Sequence, residues 1–373
     1  MSTAGMPGYK ETSIGWIPDS WPVRSLEAIS TDNITYGVVQ PGPEDKSGVR
    51  LVRGGDVKKG RVSTALRTIS SAVSNQFSRT VLRGGELLVS LVGYPGETAI
   101  AGKELAGANI ARQVGLVRLC DSNNSHFVQQ YLSSPIGKKV LLGGMIGSAQ
   151  QVINLNALRE VEVPLPQLPE QQKIAAILTA VDDKLDVIAR QIEATQTLKQ
   201  GLMQTLFSRG VGTQDADGRW VPHAEFKDSE MEEIPVGWEV AKLNAHASKV
   251  GSGVTPKGGS DSYLSSGIPL IRSQNVLVGS LSLDDVVFIS SEQHEKMRNS
   301  ALSPNDVLLN ITGASIGRCA VLPADFEVGN VNQHVCIIRT DVTLSPHFLC
   351  QYLNSEMGQK QIGKFQAGGI ARG

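Results

Sequence analysis

YKETSIGWIPDSWPV, residues 9–23, returns as FKDSEMEEIPVGWEV at residues 226–240. Tyr9/Phe226, Lys10/Lys227, Glu11/Asp228, Thr12/Ser229, Ile17/Ile234, Pro18/Pro235, Trp21/Trp238 and Val23/Val240 fall in register at a shift of 217. The echo continues with a slow drift. GVRLVRGGDVKKGRVS (48–63) matches GIPLIRSQNVLVGSLS (267–282), and LRGGELLVSLVG (82–93) matches LSPNDVLLNITG (302–313). HFVQQYLSSPIG (126–137) matches HFLCQYLNSEMG (347–358). A repeat this long is a duplicated domain and not a solenoid unit. Two similar heads can grip a target that has two halves, and divergence between them lets the halves differ.

Between the copies, VEVPLPQLPEQQKI (161–174) leads into a helical pattern. Pro169 suits the first helical position and Glu170 the first turn. Ile174, Leu178, Val181, Leu185, Ile188, Ile192, Thr195, Lys199, Leu202 and Leu206 then alternate steps of four and three, a heptad seam weakened only at Thr195 and Lys199. Gly210 is a natural stop. Roughly 40 residues at 1.5 Å rise make a helix of about 60 Å, a rod between two heads that wants a partner helix along one stripe. The adjacent acids Asp182 and Asp183 lie off the seam, where solvation explains them.

The heads read as mixed α and β. Short β-rich runs at Leu51–Arg53, Glu86–Leu91 and Gln113–Leu119 have counterparts at Leu270–Arg272, Val307–Ile311 and His334–Arg339. A helix follows each set, at Ser125–Leu132 and Pro346–Leu353, opened by His126 and His347 in equivalent places. The fold class expected is α+β: two similar mixed α/β domains joined by one long coiled-coil-type helix. The domains fall at 1–160, a lead and spacer helix at 161–210, an acidic linker at 211–233, and 234–373.

With 40% hydrophobic residues in 373, the chain has the makeup of a soluble globular protein with room for two cores. No apolar run approaches a membrane span, the N-terminus carries no secretory pattern, and the four scattered cysteines fit reduced cytoplasmic thiols. The 35 basic and 36 acidic residues nearly cancel, but they are unevenly spread. Nine basic residues face a single acid from Lys46 to Arg83, whereas residues 213–239 hold eight acids against two bases. The first segment could face phosphates; the second reads as solvated linker.

A search for chemistry returns absences. Gly251-Ser252-Gly253-Val254-Thr255-Pro256 has proline where a dinucleotide loop needs its third glycine, and Lys257 precedes glycine where a P-loop needs Ser or Thr. No metal-ligand spacing occurs, so no catalytic or metal residues are expected. His126 and His347 repeat without a nucleophile or carboxylate partner, which makes them structural. Asp284 and Asp285 fit turn chemistry.

IPDSWPV (17–23), its echo FKDSEMEEIPVGW (226–238) and VPLPQLPEQQKIAAILTAVDDKLD (163–186) resemble the specificity subunits of type I restriction–modification enzymes. The resemblance covers nearly the whole chain. It implies two target-recognition domains that each read half of a bipartite site on double-stranded DNA, with helices setting the gap. It also implies methyltransferase (M) and restriction (R) subunits as partners. The chain itself would be non-catalytic and cofactor-free, with S-adenosylmethionine, ATP and Mg expected on those partner subunits only. The family pattern has a second helix antiparallel to the first, and here the second copy runs out at Gly373, before that helix. Two expectations follow: the seam residues Ile174, Leu178, Val181, Leu185, Ile188, Ile192, Leu202 and Leu206 pair with a second chain as a homodimer, or M subunits cover them. The alternative functions are a decoy specificity subunit that occupies M partners without supporting activity, and a self-contained methyltransferase or nuclease.

Direct base readout favours Arg or Lys on guanine and Asn or Gln on adenine. The candidate DNA-binding residues are Lys58, Lys59, Arg61, Arg67, Arg79 and Tyr94 in the first head. In the second they are Lys257, Tyr263, Gln274, Asn275 and Arg318. Arg53 and Arg272 align between copies and suit a shared structural or phosphate role.

Overall fold

The computed structural model describes residues 7–143, 145–146, 152–230 and 232–366. The ends of the two expected heads, residues 1–6 and 367–373, lie outside the described residues. Two compact units divide the chain, Met1–Ala189 and Arg190–Gly373. The division falls within one helix, Leu168–Arg209, so each unit includes part of it.

The duplication is reproduced in the strand order of the two main sheets of each unit. In the first unit a four-stranded sheet runs in the order Thr98–Ile100, Leu87–Ser90, Val114–Val117, Thr35–Tyr36. In the second the order is Cys319–Val321, Val307–Asn310, Val335–Thr340, Ala247–Ser252. A three-stranded sheet accompanies each: Asn109–Ile110, Val49–Val52, Arg67–Ile69 in the first, and Asn330–Val331, Ile268–Ile271, Val287–Ile289 in the second. The parallel pairs occupy the same register, Asn109 opposite Leu51 and Asn330 opposite Leu270.

Alternation along each central strand builds a layered core. Leu87 and Val89 face the helical layer with Phe127, Val128 and Leu132, while Leu88 faces the second sheet with Val52 and Ile110. In the second unit Val307 packs with Leu349, Cys350 and Leu353, while Leu308 packs with Ile271 and Val331. Burying each such side chain contributes roughly 1.5–3 kcal/mol.

The repeated phrases turn out to be connection chemistry. In YLSSPIG and YLNSEMG, Ser134 and Ser355 cap the second helix of a pair by accepting from the Gly137 and Gly358 amides at 3.1 and 3.2 Å. A Cβ at Gly137 would lie 2.0 Å from the Tyr131 carbonyl, and one at Gly358 2.2 Å from that of Tyr352. Only glycine allows the two helices to turn so tightly. In the entry phrases, Lys10 Nζ donates to the Asp19 carbonyl (2.8 Å) and Lys227 Nζ to that of Val236 (2.9 Å), closing equivalent hairpins.

Among the described residues, each unit also holds a buried carboxylate against a guanidinium in the same place. Asp306, wholly buried, accepts from Arg339 Nε and Nη2 at 2.8 Å each and from the Ser303 amide at 2.7 Å. Its counterpart Glu86 accepts from the Arg83 and Gly84 amides at 2.6 and 2.7 Å and faces Arg118 Nε at 3.5 Å. The Asp306 bond pushes the Arg339 guanidinium above its ordinary pKa. Among the described residues, no helix is long and apolar enough to cross a membrane.

Candidate nucleic-acid interface

The first head's basic run folds into a hairpin, Val57–Lys58 against Arg61–Val62. Lys59 and Gly60 make its turn with φ of 49° and 79°, the left-handed pair that a two-residue hairpin requires. Val57 is fully buried and anchors the hairpin. Lys58 and Lys59 are left exposed. Lys58 Nζ lies 4.3 Å above the centre of the Tyr94 ring, which stands on the loop after the Leu87–Ser90 strand. Gly93 and Gly96 shape that loop with φ of 92° and 86°. Glu97 joins the two, accepting from the Lys59 amide at 2.9 Å and from Lys138 Nζ at 2.7 Å. Burial raises the Glu97 carboxyl, yet the Lys138 ammonium and the Lys59 amide outweigh it and hold the group below its usual pKa. The structure therefore brings Lys58, Lys59 and Tyr94 into one tip with a cation and an aromatic face, a combination suited to phosphate and base stacking.

The other candidates are placed differently. Arg61 turns to the spacer helix, 3.1 Å from Asp183 and 2.5 Å from Asp186. Asp182 accepts from Gln130 at 2.6 Å, so the acid pair is engaged with the first head and not merely solvated. Arg67 donates to the Gly42 carbonyl. Arg79 is exposed in the short turn Ser78–Thr80, with Arg83, Arg118 and Arg159 lining the same cleft.

In the second unit Lys257 is exposed on the loop before Gly258, its carbonyl accepting from Gln293 at 3.2 Å. Arg272 stacks 5.8 Å from the Tyr263 ring centre. Gln274 is exposed but bonded to Asp285. Arg318 is exposed beside the Cys319–Val321 strand. Asn275, expected at the surface, is instead wholly buried, accepting from the Arg272 amide at 3.0 Å and donating to the Ser282 carbonyl at 3.0 Å and to Asp285 at 3.1 Å. A base edge cannot reach an amide whose own bonds build the turn. Asp285 thus organises that turn through side chains. Arg53 occupies the equivalent place, its amide and Nε bonded to Asp56 at 2.8 and 3.0 Å, and that bond raises its pKa. The aligned arginines cap matching turns.

The lead into the spacer helix hides a residue that composition did not single out. Gln171 is buried, donating to the Pro166 carbonyl at 2.9 Å and accepting from the Asn124 amide at 2.8 Å. With Ala175 buried and Ile174 packed in the first core, it welds the helix to the first head. The helix begins at Leu168, which puts Pro169 second, and ends before Gly210, whose φ of 66° stops it.

Residues 32–196 match the model of the type I restriction modification DNA specificity domain. The type I restriction enzyme EcoBI specificity subunit of Escherichia coli is 30% identical over 199 residues, 52% of this chain and 41% of that one. The type I restriction enzyme MjaIX specificity subunit of Methanocaldococcus jannaschii is 24% identical over 357 residues, 91% of this chain and 77% of that one. The chain is thus similar to type I restriction–modification specificity subunits. A solved specificity (S) subunit from M. genitalium shares the fold, with a TM-score of 0.55 at 15% identity, covering 94% of this chain and 80% of that one. The chain spans between 41% and 62% of the length of three curated relatives and 77% of a fourth.

Gln171→Leu leaves the half-buried Asn124 amide and the buried Pro166 carbonyl without these partners. Each such loss costs about 1–3 kcal/mol. The expected result is faster amide exchange at Asn124 and through 168–175, with the second unit's exchange unchanged. Unaltered exchange at the helix start would remove Gln171 from this role.

Proposed function

We propose that this chain is the DNA-reading component of a type I restriction–modification assembly, each head reading one half of a bipartite site. Residues 1–160 and 234–373 serve as the heads, 161–210 as spacer and 211–233 as linker. The observation that carries this reading is the repeated sheet order in two units that share a 42-residue helix. A duplicated reader on a spacer matches a target with two parts and a gap. The helix sets the gap and docks methyltransferase subunits, whose S-adenosylmethionine, like the ATP and Mg of the translocating subunits, stays off this chain. Base modification then belongs to the partner, which must extrude the adenine from the duplex.

The described seam residues beyond Ile174 are between 40% and 57% exposed at Leu178, Val181, Leu185, Ile188, Ile192, Leu202 and Leu206. That stripe supports a second reading of the isolated protein, self-association through paired helices.

Sequencing modified adenines in a host that expresses this chain with its methyltransferase subunit tests the function. A new motif of two short specified halves around a fixed gap is expected. A symmetric motif would mean two chains contribute the same head, and soluble protein with no new methylation would favour the decoy. At the first tip, Lys58→Ala with Lys59→Ala should weaken binding to all duplexes and reduce the salt slope by about 0.9 per lost phosphate contact. An unchanged slope would remove the tip from the interface.

A further inference from the structure

We propose that an arginine-lined cleft in the first unit seats a backbone phosphate of duplex DNA, a contact built from other residues than the Lys58–Tyr94 tip. The proposal rests on the reading that this chain binds DNA. The cleft, about 630 Å³, is lined by Asp32 and by Arg79, Arg83, Arg118 and Arg159.

Two of these arginines are fixed from behind. Arg118 donates to Asp32 at 3.1 Å and to the Arg79 and Val81 carbonyls at 3.0 and 2.8 Å. Arg159 donates to Asn156 Oδ1 and the Ile34 carbonyl, both at 3.0 Å, while its buried Nε has no hydrogen-bond partner. Arg79 and Arg83 are exposed, and neither guanidinium is bonded or ion-paired among the described residues.

The second unit separates what the fold needs from what it does not. Arg118 has its counterpart in Arg339, which grips the buried Asp306. At the places of Arg79 and Arg83 stand Asn299 and Ser303, and the neighbouring Arg298 is tied to Glu295 at 2.6 Å. The same turn and strand form there without the two extra charges. In the first unit those charges therefore crowd a cleft with no structural duty, in a chain whose net charge is −1.

Four guanidiniums against two carboxylates, Asp32 in the lining and the buried Glu86 behind Arg118, leave a net positive field that an anion relieves. Arginine forks match phosphate oxygens bidentately. An acidic protein segment would supply the same charge, but protein contacts seek an apolar anchor. The one apolar residue of this lining, Ile34, is 1% exposed. A polar, basic, concave seat favours the phosphodiester.

The test is salt-dependent duplex binding by the full chain and by its Arg79→Ala, Arg83→Ala double variant, with matched thermal melts. Two lost phosphate contacts lower the slope of log K against log salt by about 1.8, so the affinity lost between about 50 and 200 mM salt becomes about 12-fold smaller. Base preference should stay as it was. If the parent binds duplex and the double variant keeps the parent's slope, the cleft assignment is overturned while DNA binding stands. If the variant instead keeps its slope but loses co-purification with the methyltransferase subunit, the cleft belongs to a protein partner and the assignment is likewise overturned. If the parent shows no salt-dependent binding, the DNA-reading function falls and this site with it.

Discussion

Asp306→Ala should lower the stability of the second unit by about 3 kcal/mol, because it strands Arg339 and the Ser303 amide at once. Breaking a buried pair costs about 3–5 kcal/mol, and the lower end applies because the Arg339 side chain is 34% exposed and partly recovers hydration. For a unit of this size the transition should fall by roughly 6–12 °C. Hydrogen exchange should rise first in the Val307–Asn310 strand and its partners Cys319–Val321 and Val335–Thr340. Asp306→Asn keeps an acceptor for the Ser303 amide and should lose roughly half as much. A shift below about 2 °C for the alanine variant would show that the pair does not hold the sheet. The first unit offers the internal comparison. Glu86 sits farther from its arginine, 3.5 Å against 2.8 Å, so its ion pair should matter less than its two backbone bonds.

Leu185→Asp with Ile192→Asp should turn a self-associating chain into a monomer. Both side chains are more than half exposed in the isolated chain, so neither carries the fold of a unit. An antiparallel pair of helices would bury each position twice. At about 1 kcal/mol for the half still open on each side chain, four such positions weaken association by about a thousandfold. Sedimentation at micromolar concentration reads the outcome directly. A parent that sediments as a clean monomer would end the self-association reading. If the parent is monomeric and the variant loses its methyltransferase partner, that partner covers the stripe.

Much of the fold was legible in the chain because duplication prints the same constraints twice. The strands expected at Glu86–Leu91 and Val307–Ile311 appear as Leu87–Ser90 and Val307–Asn310, with a helix after each set where His126 and His347 stand. The rod expected to run to Arg209 does so, since a heptad seam and a terminal glycine are local signals. The interface was harder to see. Residue type alone grouped Asn275 with Gln274, although one is buried in a turn and the other exposed. It also placed Arg61 with Lys58, although two aspartates of the helix claim Arg61.

Periodicity, glycines and caps act over a few residues, so the sequence by itself determined the two heads, their shared topology and the helix between them. Which charges are free was decided only by tertiary structure. Arg79 and Arg118 look alike on the page, yet one is exposed and unpaired while the other is bound to Asp32 and two carbonyls brought from distant segments. Charge becomes available for a ligand only where the fold has not already satisfied it, and for Arg118 that depends on partners 37, 39 and 86 residues away.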